Sequence, residues 1–102
     1  MNLGTYSKQP RERTPYTINY SDALSAGDRV SQSDVQITTS DPAFTVDQIT
    51  VLDDAASGTT QSRLRFFVNG GTDRTTVKVT VLVATVDGEV FEDEVIFKVK
   101  DQ

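Results

Sequence analysis

Enzymatic chemistry needs side chains that move a proton, hold a metal or attack a substrate, and this sequence is short of them. It has no histidine and no cysteine, which removes the commonest general base, the thiolate nucleophile and the usual transition-metal ligands together. A serine with a lysine base is the remaining catalytic pairing. The four lysines, Lys8, Lys78, Lys98 and Lys100, fall in the N-terminal segment or at outward strand positions, where water solvates the ammonium group. No catalytic residue and no enzyme are expected.

Carboxylates are the next candidates, because calcium takes oxygen ligands. Glu92, Asp93 and Glu94 are consecutive, and Asp53 and Asp54 adjoin each other. Neither cluster has the spaced loop with a glycine turn that marks a strong calcium motif. Glu92 and Glu94 also share a strand face with Lys78 and Lys98 nearby, the arrangement of a solvated ion-pair ladder. No metal and no cofactor are therefore expected. Gly70 and Gly71 lack the following helix and Lys/Ser pair of a phosphate cradle and read as turn residues. Asn19, Tyr20 and Ser21 form a glycosylation-type triplet with no secretion signal behind it.

The 102 residues suffice for one domain, and 36% hydrophobic with 25% charged residues is the balance of a folded globular chain. With no cysteine, a disulfide framework is ruled out. No apolar run approaches the roughly 20 residues that span a bilayer, and MNLGTYSKQPRER lacks the apolar stretch of a secretory signal. A net charge of -5 disfavours nucleic acid and anionic membrane as partners.

Periodicity points to strands. Tyr16, Ile18 and Tyr20 alternate with polar residues, Val30, Val35 and Ile37 mark a second strand, and Phe44 to Val51 a third that breaks near Asp47. A polar loop is expected over 53–58. Leu64, Phe66 and Val68 then face one way and Arg63, Arg65 and Phe67 the other, up to the turn at Asn69–Gly71. Val77, Val79, Val81 and Val83 alternate along one strand and Phe91, Val95, Phe97 and Val99 along the next, with Asp87 and Gly88 between them. That is a hairpin.

Its register follows from what must not be buried. A two-residue loop would set Glu92 and Glu94 opposite core valines, whereas a three-residue loop, Val86 to Gly88, pairs Val83 with Phe91, Val79 with Val95 and Val77 with Phe97. Asp93 then falls opposite Val81, which suggests a local bulge or an edge position. With no helical period in the chain, the expected fold is all-β, an immunoglobulin-like β-sandwich of about seven antiparallel strands over residues 14–102, preceded by an extended N-terminal arm over 1–13.

Two partner-binding regions are proposed from this reading. The arm, Lys8, Pro10, Arg11 and Arg13, is locally basic, is extended or mobile in the isolated domain and orders against an acidic partner. Phe67, Leu82, Val90 and Ile96 point away from the expected core, and the last three share one hairpin face, which would make a binding patch. Edge strands offer a further mode, strand addition.

The opening KQPRERTPYTINYSD, the LSAGD at Leu24 to Asp28 and the closing VTVLVATVDGEVFEDEVIFKVKD resemble a family of small tailed-bacteriophage proteins, the fiber-tail adaptors. The resemblance frames nearly the whole chain. It implies a non-enzymatic virion protein, made in the host cytoplasm, that joins a receptor-binding tail fiber to the tail or head-tail connector. Its partners would be other virion proteins, with self-association into a homo-oligomer in the particle compatible with that role. A capsid decoration or head-fiber protein of the same fold is one alternative, and a calcium- or carbohydrate-binding surface module is another.

Overall fold

A computed structural model describes residues 2–54, 56 and 58–101. Seven strands make up the secondary structure of the described residues: β1 (Asn2–Lys8), β2 (Arg13–Asn19), β3 (Val30–Thr39), β4 (Phe44–Asp54), β5 (Thr59–Gly70), β6 (Thr75–Thr85) and β7 (Val90–Val99). They form two sheets, a four-stranded one in the order β1-β7-β6-β3 and a three-stranded one in the order β2-β5-β4. The expected all-β sandwich is what the chain forms.

The alternation read from the sequence is what fills the space between the sheets. Val77, Val79, Val81 and Val83 are fully buried on β6, facing Leu64, Phe66 and Val68 of β5, while Val95, Phe97 and Val99 of β7 complete the layer. Branched and aromatic side chains fit this pleated, one-sided burial. At one end the rings of Phe44, Phe97, Tyr16 and Phe66 pack in succession, with centroids 5.3–6.0 Å apart.

The β6–β7 hairpin has the register that keeps its glutamates out of the core. Val83 pairs with Phe91, Val79 with Val95 and Val77 with Phe97. Its loop is three residues long: Thr85 N–H donates to Glu89 O at 2.8 Å, Gly88 N–H donates to Thr85 O at 3.1 Å, and Gly88 takes a φ of 96°. Asp93 does lie opposite Val81, but neither at a bulge nor at an edge. β7 runs between β1 and β6, and the carboxylate points inward, where the Tyr20 hydroxyl donates to it across the sandwich at 2.9 Å.

Three further expectations change. The segment read as an arm is, over Asn2–Lys8, a strand paired with β7, and that pair is parallel in an otherwise antiparallel set. Its pattern is hidden because the register slips between Asn2 and Thr5, where Gly4 has a φ of 129°; Leu3 packs on the core before the slip, and Tyr6 and Lys8 pair with Phe97 and Val99 after it. The break near Asp47 is a bulge within one continuous strand, with Gln48 at a φ of 49°. Finally, β4 continues through Asp54, which pairs with Thr59, so the loop expected over 53–58 is shorter; Ala55 and Ser57 lie outside the described residues.

Two turn glycines differ in what surrounds them. At Gly70, with a φ of 78°, an added Cβ would collide with the Ala43 carbonyl oxygen, whereas at Gly88 it would meet nothing within 4 Å. Gly70→Ala must therefore move backbone as well as strain it, and is expected to cost about 2–4 kcal/mol. Gly88→Ala carries only the left-handed strain, about 1–2 kcal/mol. Urea unfolding midpoints of the two variants measure the difference, and equal losses would contradict this account of the turn at Gly70.

Candidate functional site

The residues that could have carried chemistry are dispersed by the pleat or used in turns. Along β7, Glu92 and Glu94 lie on the outer face and Asp93 on the inner one, so the three consecutive carboxylates do not converge. Glu94 pairs with Lys78 at 3.1 Å. Asp53 accepts the Gln61 backbone N–H at 2.8 Å; Asp54 accepts the Ala56 N–H and the Asn19 side-chain amide, each at 3.2 Å. Both acids thus brace the β4–β5 connection.

The buried polar groups act as joints between elements. Lys8, only 3% exposed, donates to Gly70 O at 2.6 Å and Gln9 O at 2.8 Å, with its ammonium 5.6 Å from the centre of the Phe44 ring. It ties the end of β1 to the end of β5, and burial lowers its proton affinity more than the nearby Glu12 raises it. Tyr20 and Asp93 tie the other end. Burial, then the charge of Asp93 and the hydrogen bond to it, push the Tyr20 hydroxyl far above its usual range, and burial followed by the bond to Tyr6 does the same for Tyr16. An apolar cleft of about 220 Å³ opens beside Tyr20 and Asp93, walled by Leu3, Ile18, Ala23 and Phe91. Its polar end is a hydroxyl held as a donor to a carboxylate, which anchors two sheets.

Each sheet edge carries an interruption. The side-chain amide of Gln32 bonds the backbone of β4, donating to Ile49 O at 3.2 Å and accepting from Val51 N at 2.8 Å, and so occupies that edge as a short strand would. Immediately after β2 the Tyr20 N–H bonds toward β5, so by alternation Pro15 stands where the free edge would otherwise offer an N–H. The ladders of β1 and β3 are broken between Asn2 and Thr5 and between Val30 and Val35. These are devices that discourage strand addition, and they leave the sheet faces as the extended surfaces.

The two faces differ. On the four-stranded sheet, Leu82 pairs with Glu92, Val90 with Ala84 and Ile96 with Lys78. Val90 is 62% exposed and diagonal to Leu82, but the Thr80–Glu94 rung separates Ile96 from both. Phe67 is on the other sheet altogether, beside Pro15 of β2 and Asp47 of β4. There the Arg13 guanidinium lies 4.2 Å from the centre of the Phe67 ring and Arg65 lies 5.9 Å from it, while Arg13 is also 2.9 Å from Asp47. Of the basic segment, then, Lys8 is a buried anchor, Arg13 joins the Phe67 face, and Pro10 and the exposed Arg11 form the turn between β1 and β2.

A family model, the podophage GP4 fiber-tail adaptor protein gp77, matches residues 8–98. The chain belongs to this family. No curated protein matches it. The match opens at Lys8, the buried anchor, so it takes in β2 through β7 and omits nearly all of β1. Membership makes this fiber-tail adaptor a phage structural protein, and in such a protein the relevant geometry is that of surfaces and the joints that hold them rigid.

Sequence reading missed those joints. The signal for Tyr20–Asp93 was present as an acid opposite a core valine; the signal for Lys8 was absent, because its acceptor, Gly70 O, lies 62 positions along the chain. The grouping of Arg13 with Phe67 needed the pairing of β2 with β5.

Two measurements test the joints. Tyr20→Phe removes a donor from a buried carboxylate and is expected to lower stability by about 1–3 kcal/mol. Because Tyr16 and Tyr20 release their protons less readily folded than unfolded, stability is fully present below the unfolded tyrosine value of 10.0 and falls as pH rises above it; Tyr20→Phe should flatten that fall in denaturant titrations at alkaline pH. Lys8→Ala is expected to cost about 1–3 kcal/mol by stranding Gly70 O, against at most about 0.5 kcal/mol for Arg11→Ala. Equal effects in thermal melts would contradict the buried role of Lys8.

Proposed function

We propose that this chain is a non-enzymatic virion adaptor that docks a tail fiber to the tail or head-tail connector through the faces of its sandwich. The family match over residues 8–98 carries the reading. The architecture supports it: buried polar groups such as Lys8, Tyr20 and Asp93 are spent on joining β-elements, and the sheet edges are interrupted. What remains for recognition is outward side chains. Pro10 and Arg11 at the β1–β2 turn, Arg13 and Phe67 on one face, and Leu82, Val90 and Ile96 on the other are the proposed contacts. We also read the topology as immunoglobulin-like, supported by two packed sheets in which the first strand joins the last. The role entails synthesis in the host cytoplasm and residence in the particle with other virion proteins as partners.

Quantitative mass spectrometry of purified particles tests this. An adaptor is expected in a small multiple of the tail symmetry and in fractions that retain tail and fiber. Hundreds of copies that stay with emptied, tail-less heads would instead make it a decoration protein, and absence from the particle would end the adaptor reading.

A further inference from the structure

The outer face of the β2-β5-β4 sheet combines features the four-stranded sheet lacks. Its central strand presents Arg63, Arg65, Phe67 and Asn69 in alternation, with no carboxylate among them in a chain of net charge -5. On the flanking strands Asp47 lies directly opposite Phe67 and holds Arg13, and Asp54 holds Asn19, the cross-strand neighbour of Arg63. Phe67, between two guanidinium groups, is covered on one side by Arg13 at 4.2 Å. Arg63 is braced from behind, its Nε donating to Asp53 O at 2.9 Å. Arg65 has a shielded Nε with no hydrogen-bond partner, and among the described residues neither Arg63 nor Arg65 forms an ion pair.

We infer that this face, through Arg63 and Arg65 with Phe67 beside them, docks a carboxylate-rich surface of a partner protein; the inference rests on the adaptor reading and names the chemistry of its partner. Arginine and aromatic residues are the side chains enriched at the energetic centres of protein interfaces. The planar guanidinium can hold a carboxylate through two parallel hydrogen bonds while its face stays stacked on a ring. Arg63, held by its bond to Asp53 O, loses little freedom on binding, so its cost of ordering is small. Asp47 opposite Phe67 and Asp54 would repel a misplaced acid and so fix the register of the partner. A nucleic acid would carry its evenly spaced phosphates past the arginines onto Asp47 and Asp54, whereas a folded acidic surface can set its carboxylates on the arginines alone.

The test uses phage whose only source of the chain is a variant. Arg63→Glu/Arg65→Glu is compared with Lys100→Glu, an exposed lysine beyond the end of β7 and outside the proposed contacts, and thermal melts of the purified full chains check folding. Copies per particle should fall by roughly tenfold or more for the arginine pair and stay near wild type for the lysine variant. Wild-type incorporation of the arginine variant overturns the inference. If that variant melts early, Phe67→Ser and Arg65→Gln replace it and are judged by the same numbers. Should the wild-type chain be missing from particles, the adaptor reading fails by itself. The face is then judged by fluorescence anisotropy with a glutamate-rich peptide and a single-stranded oligonucleotide. Peptide binding that is lost in Arg63→Glu/Arg65→Glu sustains an acidic protein partner; no peptide binding, or equal binding of the oligonucleotide, overturns it.

Discussion

The register between β6 and β7 is the constraint from which the rest of the molecule follows. Side chains alternate across a sheet, so a slip of one residue would exchange every inward group of β7 for an outward one, driving Glu92 and Glu94 into the core in place of Phe91, Asp93 and Val95. The three-residue loop ending at Gly88 prevents this. It does so at the expense of one buried acid, Asp93, and the tyrosine at the end of β2 answers that acid from the opposite sheet. The contact that compensates the register therefore also sets how the two sheets meet.

How far the fold could be read beforehand depended on whether the information was local. The valines of β6 and the apolar residues of β7 announce their faces by unbroken alternation, and the loop between them leaves a single pairing that buries no glutamate. Asp93 was visible as an anomaly, but its answer, Tyr20, is 73 positions away. β1 was not legible as a strand, since Gly4 breaks its alternation and its inward end is a lysine. The candidate surface was half legible: Arg63, Arg65 and Phe67 share one side of β5 by alternation. That Phe67 and Leu82 belong to opposite sheets, and that Arg13 lies over Phe67, required the strand order.

Charge is distributed with the same economy. The acids of this chain serve largely as local acceptors, Asp41 for the Ala43 and Thr72 backbone, Asp28 for the Arg29 and Asp87 backbone; hydrogen bonds hold the Asp41 carboxyl below its ordinary proton affinity, and at Asp28 burial acts the other way but is outweighed by the bond to Thr85 and those to Arg29 and Asp87. The acidity of the whole thus arises from the turns, and the sheet faces have their own balance. A family that works as a structural adaptor needs such separation, because a connecting piece has to stay soluble alone and still offer a distinct surface to its neighbour.

The parallel pairing of β1 with β7 has a mechanical side. Lys8 lies beside Val99, so the chain enters this ladder at one end and leaves it at the other. A pull applied between the two ends would drag the strands past each other along their length. Every hydrogen bond of the ladder would then share the load at once, together with the Lys8 anchor, and none could be peeled open ahead of the rest. Tension along that line shears the ladder and does not unzip it.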